Sequence, residues 1–387
     1  MSKIAIIGGG IIGSSIAWNL AKSGLTSELI VIEPDPTYEF AATPRAIGGI
    51  RFVQGLIENL KMSLYGRYVF KNFARELNIQ EDFVDLNFHE CGYLFLGTGN
   101  TVKAFEENYR MLSEGGADIK LMDRRSLESL LPSFNFKDID VGLYSPSDSR
   151  IDPYSALRGF KRAAIDLGVE YKKDRVVDIN HDHRRVNSVK LESGTFIPVD
   201  IIINAANCWA PDICKMVGMK VPIEPVRRQT FYFNMEKAIE KFLAIRDHNG
   251  LSVRPDGADF IAGKTVVGGK TEFNWALGYR EFENELWHLM ASRSPFFETI
   301  KYKGGWVGHY DQCLLDGNPI LGTWGNGLSN FILAAGFSGH GLQHAPAISL
   351  ALSEQINHGE AKSFDLSRFS YKRVEDNKPL GDTGPTP

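Results

Sequence analysis

The stretch IAIIGGGIIG, residues 4–13, decides the fold of this 387-residue chain. Its first four residues are apolar and mostly β-branched, which predicts a buried parallel strand. Gly8, Gly10 and Gly13 follow the spacing G-x-G-x-x-G, and the apolar segment up to Leu20 predicts a helix. In this motif the first glycine makes a tight turn, the second lets a pyrophosphate approach the backbone, and the third lets helix pack on strand. The helix N-terminus then offers free N–H groups to the phosphate.

A second strand and an acidic residue complete this unit. Leu29–Ile32 is apolar and ends at Glu33, which lies 20 residues after Gly13. A carboxylate there can accept hydrogen bonds from both hydroxyls of an adenosine ribose, and it repels a 2′-phosphate. The alternative is a glycine-rich turn followed by an unrelated acid. The order strand, glycines, helix, strand and acid predicts dinucleotide binding and disfavours NADP, but it does not separate FAD from NAD.

Length and composition exclude several classes of protein. A chain of 387 residues exceeds the roughly 100–200 residues of one domain, so two or three structural units are expected. Lys and Arg number 43 against 47 for Asp and Glu, and the net charge is −4. That balance gives no electrostatic reason to expect a nucleic acid or an anionic membrane surface as partner.

The cysteines and the apolar stretches bear on the cellular compartment. Cys91, Cys208, Cys214 and Cys313 lie far apart without a C-x-x-C pair, so we expect neither a disulfide framework nor a metal site. No apolar stretch reaches the roughly 18 residues that a membrane span requires. The first strand is also too short for the apolar part of a signal peptide. These features predict a cytoplasmic protein with no membrane span.

The predicted fold class is α/β, or α+β overall, with a Rossmann-like nucleotide-binding domain and a discontinuous antiparallel-sheet substrate domain. The first domain is assigned residues 1–86, 150–220 and 306–375. Residues 87–149 and 221–305 are assigned to the second, because they alternate aromatic and polar stretches beside helical ones. Residues 376–387 are polar and rich in Pro and Gly, which predicts a flexible tail.

A β-meander is predicted between residues 170 and 205. Its strands are Val176–Ile179, Val186–Leu191 and Val199–Ile203. His181 and His183 in the first turn have the spacing of a metal pair, but no third ligand is near, so a metal site is not predicted.

Residues 257–265 resemble a phosphate-binding loop of the Walker A type. Five residues separate Gly257 from Gly263 where four are required, and no helix pattern follows. A hairpin is therefore predicted there. Residues 41–52, AATPRAIGGIRF, form a different loop, which could place Arg45 and Arg51 along a flat ligand or leave both solvated.

A second strand, glycine turn and helix lie near the end of the chain. The apolar strand Phe331–Ala335 is followed by GFSGHGLQ, residues 336–343, and by an apolar helix from Ala345. Two further stretches precede it, WVGHYD at 306–311 and DGNPILG at 316–322. A second helix N-terminus then points at the same crevice. A flavin dinucleotide has both a pyrophosphate and a large ring system, so it could contact both helix N-termini. A simple NAD dehydrogenase has no obvious role for the second one.

Together, these motifs resemble the D-amino-acid-oxidase-like superfamily of FAD-dependent oxidoreductases, closest to the branch of monomeric sarcosine oxidase and dimethylglycine dehydrogenase. The resemblance covers nearly the whole chain and is weakest over 100–150 and 230–300. It implies that the Rossmann-like domain binds FAD. The implied cofactor-binding residues are Gly8, Gly10, Ile12, Gly13, Glu33, Arg45, Val176, Ala205, Trp209, Gly308, Gly339, His340, Gly341, Leu342 and Gln343.

The resemblance also implies the residues that meet the substrate. Arg51 matches the family arginine that binds a substrate carboxylate, a role that suits the two-pronged guanidinium. Tyr310 matches an active-site tyrosine that faces the flavin, and the neighbouring His309 could face either way. Gln343 would supply a neutral hydrogen bond.

Three departures from the sarcosine oxidases change the expectations. Gly308 stands where those enzymes carry the cysteine that bonds to flavin, and the N-terminal loop lacks the histidine of the other known linkage, so we expect non-covalent FAD. Gln343 replaces a lysine that also holds the carboxylate, which leaves Arg51 as the one charged group there. The lysine that activates oxygen has no clear counterpart, since Lys264 falls about three residues away on the opposite strand face.

These features predict an FAD-dependent oxidoreductase that oxidises the C–N bond of a small amine or N-alkyl amino acid. A hydride passes from the carbon next to nitrogen to flavin N5, and the resulting imine hydrolyses. The expected partners are this small-molecule substrate and an electron acceptor, either oxygen or another redox carrier.

Two alternatives stay open. A hydroxy-acid or glycerol-phosphate-type flavin dehydrogenase would need His309 as a base and additional basic residues for a phosphate. A non-catalytic FAD-binding assembly protein would need an exposed apolar patch. The GGIR loop and the spacing from Tyr310 to Asp316 resemble one such branch of the superfamily, a mitochondrial assembly factor.

Overall fold

The computed structural model describes residues 2–25, 28–80, 84–236, 242–265, 271–325 and 327–381. The strands are β1 (Lys3–Ile7), β2 (Glu28–Glu33), β3 (Gly49–Ile50), β4 (His89–Glu90), β5 (Tyr93–Gly97), β6 (Lys120–Met122), β7 (Val141–Ser145), β8 (Ser149–Arg150), β9 (Glu170–Lys173), β10 (Val176–His181), β11 (Val186–Leu191), β12 (Phe196–Pro198), β13 (Ile201–Asn204), β14 (Ile223–Met235), β15 (Ala244–Arg246), β16 (Leu251–Asp256), β17 (Asp259–Lys264), β18 (Ile300–Cys313), β19 (Ile320–Thr323) and β20 (Phe331–Ala335).

The helices lie between these strands. They are α1 (Ile11–Ser23), α2 (Ala42–Arg45), α3 (Ile57–Lys71), α4 (Phe73–Leu77), α5 (Val102–Glu114), α6 (Arg124–Leu130), α7 (Pro153–Asp166), α8 (Ala210–Met216), α9 (Tyr279–Glu281), α10 (Trp287–Arg293), α11 (Gly341–His358) and α12 (Lys372–Glu375). The first residues of several helices can be explained from the sequence. The Asp152 carboxylate, for example, accepts the N–H of Ser155 and caps α7, whose first residue is a proline.

A six-stranded sheet carries the N-terminal glycine motif. Its strand order is β19-β20-β13-β1-β2-β9, and all neighbours are parallel except β19 and β20. The apolar runs of β1 and β2 are buried because both faces of this sheet are covered. Helices α1, α7 and α11 pack on one face, and the strands β10, β11 and β12 pack on the other. The predicted strands at 4–7, 29–32 and 331–335 therefore form, and the α/β fold class is confirmed.

The predicted β-meander is wrong in its third strand. The partner of β11 is Phe196–Pro198, and the predicted strand Val199–Ile203 is instead Ile201–Asn204 in the six-stranded sheet. Its apolar side chains pair between β1 and β20, where both faces are covered, so burial decides its place.

An eight-stranded sheet closes the cavity from the other side. Its order is β18-β14-β17-β16-β15-β5-β7-β6, antiparallel except for the parallel pair β15 and β5. One face forms a core with α10, including Leu94, Phe231 and Val253. The long strands β14 and β18 pair along their whole length. Because β18 runs through Gly305 and Trp306, the predicted domain boundary there falls inside a strand.

The end of the described chain is hydrogen-bonded to the protein. The Leu380 N–H donates to the Asp316 carboxylate, which also pairs with Arg373. The predicted flexible tail over 376–387 is therefore held at its start, and residues 382–387 lie outside the described residues. Over the described ranges, no helix has the length and apolar character to cross a membrane, and no group of His, Cys, Asp and Glu could hold a metal ion.

Candidate active site

The glycine motif forms the turn that the sequence predicts between β1 and α1. Gly10 precedes the first residue of α1. A Cβ atom on Gly13 would lie 1.9 Å from the carbonyl oxygen of Gly8, so only glycine lets the helix pack this closely on the strand. Gly13 therefore shapes the turn from behind, whereas Gly8, Gly10 and Ile12 border the cavity.

The Glu33 carboxylate is fixed at one end of the cavity by two backbone donors. One oxygen accepts the N–H of Gly9 at 2.8 Å, and the other accepts the N–H of Asp35 at 3.0 Å. Burial raises the pKa of Glu33 above its usual value, although these two hydrogen bonds act in the opposite direction. The acid is thus oriented before any ligand binds, at the position where the motif needs an acceptor for a ribose.

A cavity of about 600 Å³ runs between the two large sheets. Most of the site residues predicted from the sequence border this cavity. The N-terminal turn, the loop at 41–52 and the C-terminal stretches therefore meet around it. Those that line it are Gly8, Gly10, Ile12, Glu33, Arg45, Arg51, Val176, Ala205, Trp209, Gly308, His309, Tyr310, Gly339, Gly341 and Leu342. Gly13, His340 and Gln343 do not line it.

Arg45 ties the loop at 41–52 to the eight-stranded sheet. Its guanidinium donates to the carbonyl oxygens of Glu39 and Val307, at 2.6 and 2.8 Å, and lies 5.0 Å from the centre of the Trp275 ring. The Arg45 carbonyl accepts the indole N–H of Trp306. Of the two alternatives for Arg45, the solvated one does not hold, because the side chain joins the loop to the wall of the cavity.

Gln343 lies behind Arg51 instead of in the cavity. Its side-chain oxygen accepts the backbone N–H of Arg51 at 3.0 Å, and its amide nitrogen donates to the hydroxyl of Ser63 on α3. The first turn of α11 packs on α3 at this point, which directs the side chain inward. The expectation that Gln343 meets the substrate is not supported by this placement. Gln343 positions Arg51, whose side chain is 7% exposed.

Tyr310 and His309 lie on opposite faces of β18. Tyr310 shares the cavity face with Arg228, whose guanidinium lies 5.0 Å from the centre of the tyrosine ring. Gly339 comes so close that a Cβ there would be 2.6 Å from this ring. The second glycine turn and Tyr310 therefore form one wall of the cavity.

His309 is a neutral imidazole at the edge of the cavity. Its Nε2 accepts the backbone N–H of Asn274 at 3.0 Å, and its ring lies 4.3 Å from that of Trp275. Burial lowers the pKa of His309 to about 4, and the charges of Arg227 and Arg45 act in the same direction. A base of this pKa, with Nε2 already occupied, is poorly suited to remove a proton from an alcohol.

His340 caps the start of α11 and is stacked on His344. The two ring centres are 5.8 Å apart, with 16° between the planes. Burial lowers the pKa of His340 well below its usual value, and the charge of Arg51 adds to this. His340 does not line the cavity, so the expectation that it covers the flavin ring is not supported by this placement.

The sequence reasoning missed several polar residues on the cavity wall, among them one tyrosine and three arginines. Tyr93, Arg228, Arg246 and Arg254 all line the cavity from the eight-stranded sheet. Their signal in the sequence is weak. Arg246 ends the apolar run LAIR, and Arg228 lies between the polar residues Arg227 and Gln229, so no alternation marks it.

The parallel sheet with its glycine turn, the oriented acid and the antiparallel sheet that closes the cavity define a dinucleotide-dependent oxidoreductase. The family model described as DAO, FAD dependent oxidoreductase, matches residues 3–355, so the chain belongs to that family. The predicted family is confirmed, and the cofactor is FAD.

Three similar proteins give the range of the resemblance. FAD-dependent oxidoreductase domain-containing protein 1 of Xenopus laevis is 31% identical, over 98% of this chain and 84% of its own length. Human mitochondrial dimethylglycine dehydrogenase is 28% identical, over 96% of this chain and 44% of its own. Among solved structures, L-proline dehydrogenase from P. horikoshii superposes with a TM-score of 0.86 at 26% identity, covering 98% of this chain and 99% of the other.

Proposed function

We propose that this protein oxidises the C–N bond of a small amine or N-alkyl amino acid that carries a carboxylate. The residue that best supports this proposal is Arg51. It is buried on the cavity wall, its backbone is held by Gln343, and its guanidinium has no ion-pair partner among the described residues. A buried guanidinium without a carboxylate on the protein is suited to take one from a ligand.

The residues present fit FAD along the whole cavity. The glycine turn and the start of α1 would hold the pyrophosphate, Glu33 the ribose, and the wall of Gly339, Gly341 and Tyr310 the ring system. We propose that FAD is held without a covalent bond. Gly308 has no side chain to form one, and no cysteine lines the cavity within the described ranges.

The chemistry balances with FAD as the two-electron acceptor. When bound, FAD would supply the acceptor for a hydride equivalent from the carbon next to nitrogen, and water would hydrolyse the resulting imine to a carbonyl compound and an amine. Arg51 orients the substrate through its carboxylate, and Tyr310 shapes the wall on which that carbon rests. Closure of the cavity by two sheets keeps the reacting carbon in a low-dielectric space.

The comparisons support an amine substrate through their descriptions alone. The proline and dimethylglycine dehydrogenases both act on amino acids with a substituted nitrogen, as their names state. The electron acceptor is oxygen or another redox carrier. Lys264, the nearest counterpart of an oxygen-activating lysine, forms an ion pair with Glu285 at 2.9 Å. A cytoplasmic location stays a prediction.

The hydroxy-acid alternative meets one of its two requirements. Arg228 and Arg246 supply the additional basic residues on the cavity wall that it needs for a phosphate. His309, its one candidate base, has a pKa lowered to about 4 and accepts a backbone hydrogen bond. The amine reading needs no such base, so we favour it.

An anaerobic titration of the holoenzyme tests the proposal. N-methyl amino acids, amines and hydroxy acids are added in turn, and the flavin absorbance band near ~450 nm is followed. Bleaching by an N-substituted amino acid, with the flavin released by acid denaturation, is the expected result. Bleaching by hydroxy acids alone would contradict it, and a flavoprotein that no compound bleaches would favour the non-catalytic alternative. Readmitted air then distinguishes rapid reoxidation by oxygen from use of another carrier.

A further inference from the structure

One face of the eight-stranded sheet gathers polar groups from four strands. Side chains alternate along a strand, and the register pairs Arg246 with Ser252 and Ser252 with Gly263. Continued across the sheet, this places Tyr93, Arg246 and Arg228 on the same face as Tyr310, and all four line the cavity. Arg51 lies on the adjoining loop. We call the three arginines of this set, Arg51, Arg228 and Arg246, the arginine wall.

The arginine wall has no counter-charge on the protein. Within the described part of the chain, none of the three arginines forms an ion pair with a carboxylate. The Nε atoms of Arg228 and Arg246 are buried without a hydrogen-bond partner, although another nitrogen of Arg228 donates to the Arg227 carbonyl at 3.3 Å. The hydroxyl of Tyr93, which is 1% exposed, also has no partner. Two guanidinium nitrogens and one hydroxyl on residues that line the cavity therefore lack a partner among the described residues.

The three charges are close enough to act on one another. Burial lowers the pKa of Arg246 to about 10, and the charges of Arg51 and Arg228 add to this. Arg246 thus stays protonated at neutral pH. The neighbouring titratable groups compensate only in part, since burial raises the pKa of Asp148 to about 7 and lowers the pKa of His340. Cations that are buried or half-buried without a partner are poorly solvated and repel one another, so they are unfavourable unless an anion accompanies them.

A single carboxylate does not match this set of donors. One bidentate contact satisfies one guanidinium, which would leave Arg228 and Arg246 unpaired. The pyrophosphate of FAD does not supply the second charge, because the glycine turn that receives it belongs to the six-stranded sheet. The remaining source of negative charge is the substrate.

Building on the proposed function, we propose that the substrate is an N-alkyl amino acid with a second carboxylate in its side chain. Arg51 binds the carboxylate next to the amine carbon. Arg246, with Arg228 beside it, binds the second carboxylate, and the Tyr93 hydroxyl donates to the same group. The arginine wall thus selects dicarboxylic over monocarboxylic substrates.

The first test measures binding without turnover. Glutarate and its monoamide have nearly the same shape and differ by one charge, and neither carries an amine to oxidise. Binding of each to the holoenzyme is followed by the change it causes in the oxidised flavin spectrum. We expect glutarate to bind about 10- to 100-fold more tightly, the range that a charged hydrogen-bond pair provides. Equal affinities in the wild-type protein would overturn the proposal without any variant.

Variants then assign the second carboxylate to Arg246. Arg246→Gln should bring the affinities for glutarate and its monoamide within about threefold of each other. Arg246→Lys, which keeps the charge and loses the fork, should retain an intermediate preference. The matched control is Arg227→Gln, since Arg227 neighbours Arg228 on the opposite face and is paired with Glu281. Selectivity that survives Arg246→Gln, or that Arg227→Gln abolishes equally, would overturn the assignment.

A second titration separates this inference from the proposed function. N-methylglutamate and N-methylglutamine are compared for anaerobic bleaching of the flavin. Selective binding of glutarate with no bleaching by any amine would keep the dianion site and refute amine oxidation. Bleaching by both compounds with equal affinity would support amine oxidation and refute the dianion site. Preference for 3-phosphonopropionate over glutarate would keep a second anion and overturn its assignment as a carboxylate.

Discussion

Two places in this molecule bury arginine side chains, and they do so in opposite ways. The Arg293 side chain is 3% exposed and is met by Asp247 and Asp138, at 3.0 and 2.6 Å, and by the carbonyl oxygen of Asn135. In the arginine wall, Arg51 is buried, Arg228 and Arg246 are half-buried, and none of the three has a carboxylate partner among the described residues.

The difference separates a structural role from a ligand-binding one. The donors of Arg293 are used up inside the protein, and the residue joins α10 to the loop at 135–138 and the turn at 247. A buried charge whose hydrogen-bond donors all have partners holds segments together. Removal of one member of such an ion pair leaves the other as an unpaired buried charge. A buried charge without partners destabilises the free protein and gains most from a ligand. Stability and ligand affinity should therefore respond in opposite senses at the two places.

The largest expected effect is on stability, from Arg293→Met. This change leaves Asp247, whose side chain is fully buried, without its cation, and should lower the free energy of unfolding by about 3–5 kcal/mol. Denaturant unfolding followed by fluorescence measures it. Arg293→Met combined with Asp247→Leu should recover part of the loss. A loss under about 1 kcal/mol in the single variant would break the comparison.

The second effect is on ligand binding, from Arg51→Met. We expect KM for a carboxylate-bearing amine to rise about 10- to 100-fold, since a charged bidentate contact is lost. The free energy of unfolding should stay the same or increase, because an unpaired buried charge is removed. Steady-state kinetics and denaturant unfolding are measured on the same preparation. A fall in stability like that of Arg293→Met would show that Arg51 is structural.

A third prediction concerns Asp148, a buried acid near Arg51 that forms no ion pair with any residue the structure describes. Burial raises its pKa to about 7, and one of its oxygens has no hydrogen-bond partner. A raised pKa in the folded state means that its contribution to stability is present below about pH 4 and is lost as the pH rises towards 7. Relative to Asp148→Asn, the wild-type protein should therefore lose at least about 1 kcal/mol between pH 4 and pH 8.

Unfolding of both proteins at several pH values measures this difference. A difference that does not grow between pH 4 and pH 8 would contradict the raised pKa of Asp148, and with it the view that Arg51 lacks a fully charged neighbour. That outcome would weaken the contrast between the two places.

The smallest effect is expected at the surface. Lys3 and Glu28 form an ion pair at 2.7 Å, with side chains 37% and 64% exposed. Glu28→Gln should change the free energy of unfolding by less than about 1 kcal/mol, and added salt should reduce even that. A change as large as that of Arg293→Met would show that burial is not what separates these pairs.

The parts of the molecule that the sequence predicted well are those with local causes. The turn from Gly8 to Gly13 is dictated by backbone contacts within one strand and one helix, so its motif is readable in ten residues. Glu33 follows from the same unit. The strand Phe331–Ala335 and the helix after it are equally local.

The parts that it predicted poorly depend on register between distant segments. Whether His309 or Tyr310 shares a strand face with Arg228 depends on how β18 pairs with β14, some 80 residues earlier in the chain, which sequence pattern does not fix. Gln343 was misplaced because Ser63, its partner, comes from α3. Arg246 was overlooked because it becomes meaningful only beside Arg51.

The alternation of the eight-stranded sheet has a consequence for how related chains can diverge. Thr230 and Ser252 face the cavity, while Phe231 and Val253, their immediate neighbours, pack in the core on the other side. Replacements at every second position can therefore reshape the cavity while the packed layer beneath stays intact. A scaffold of this kind can exchange one substrate for another in small steps, each of them compatible with a folded intermediate.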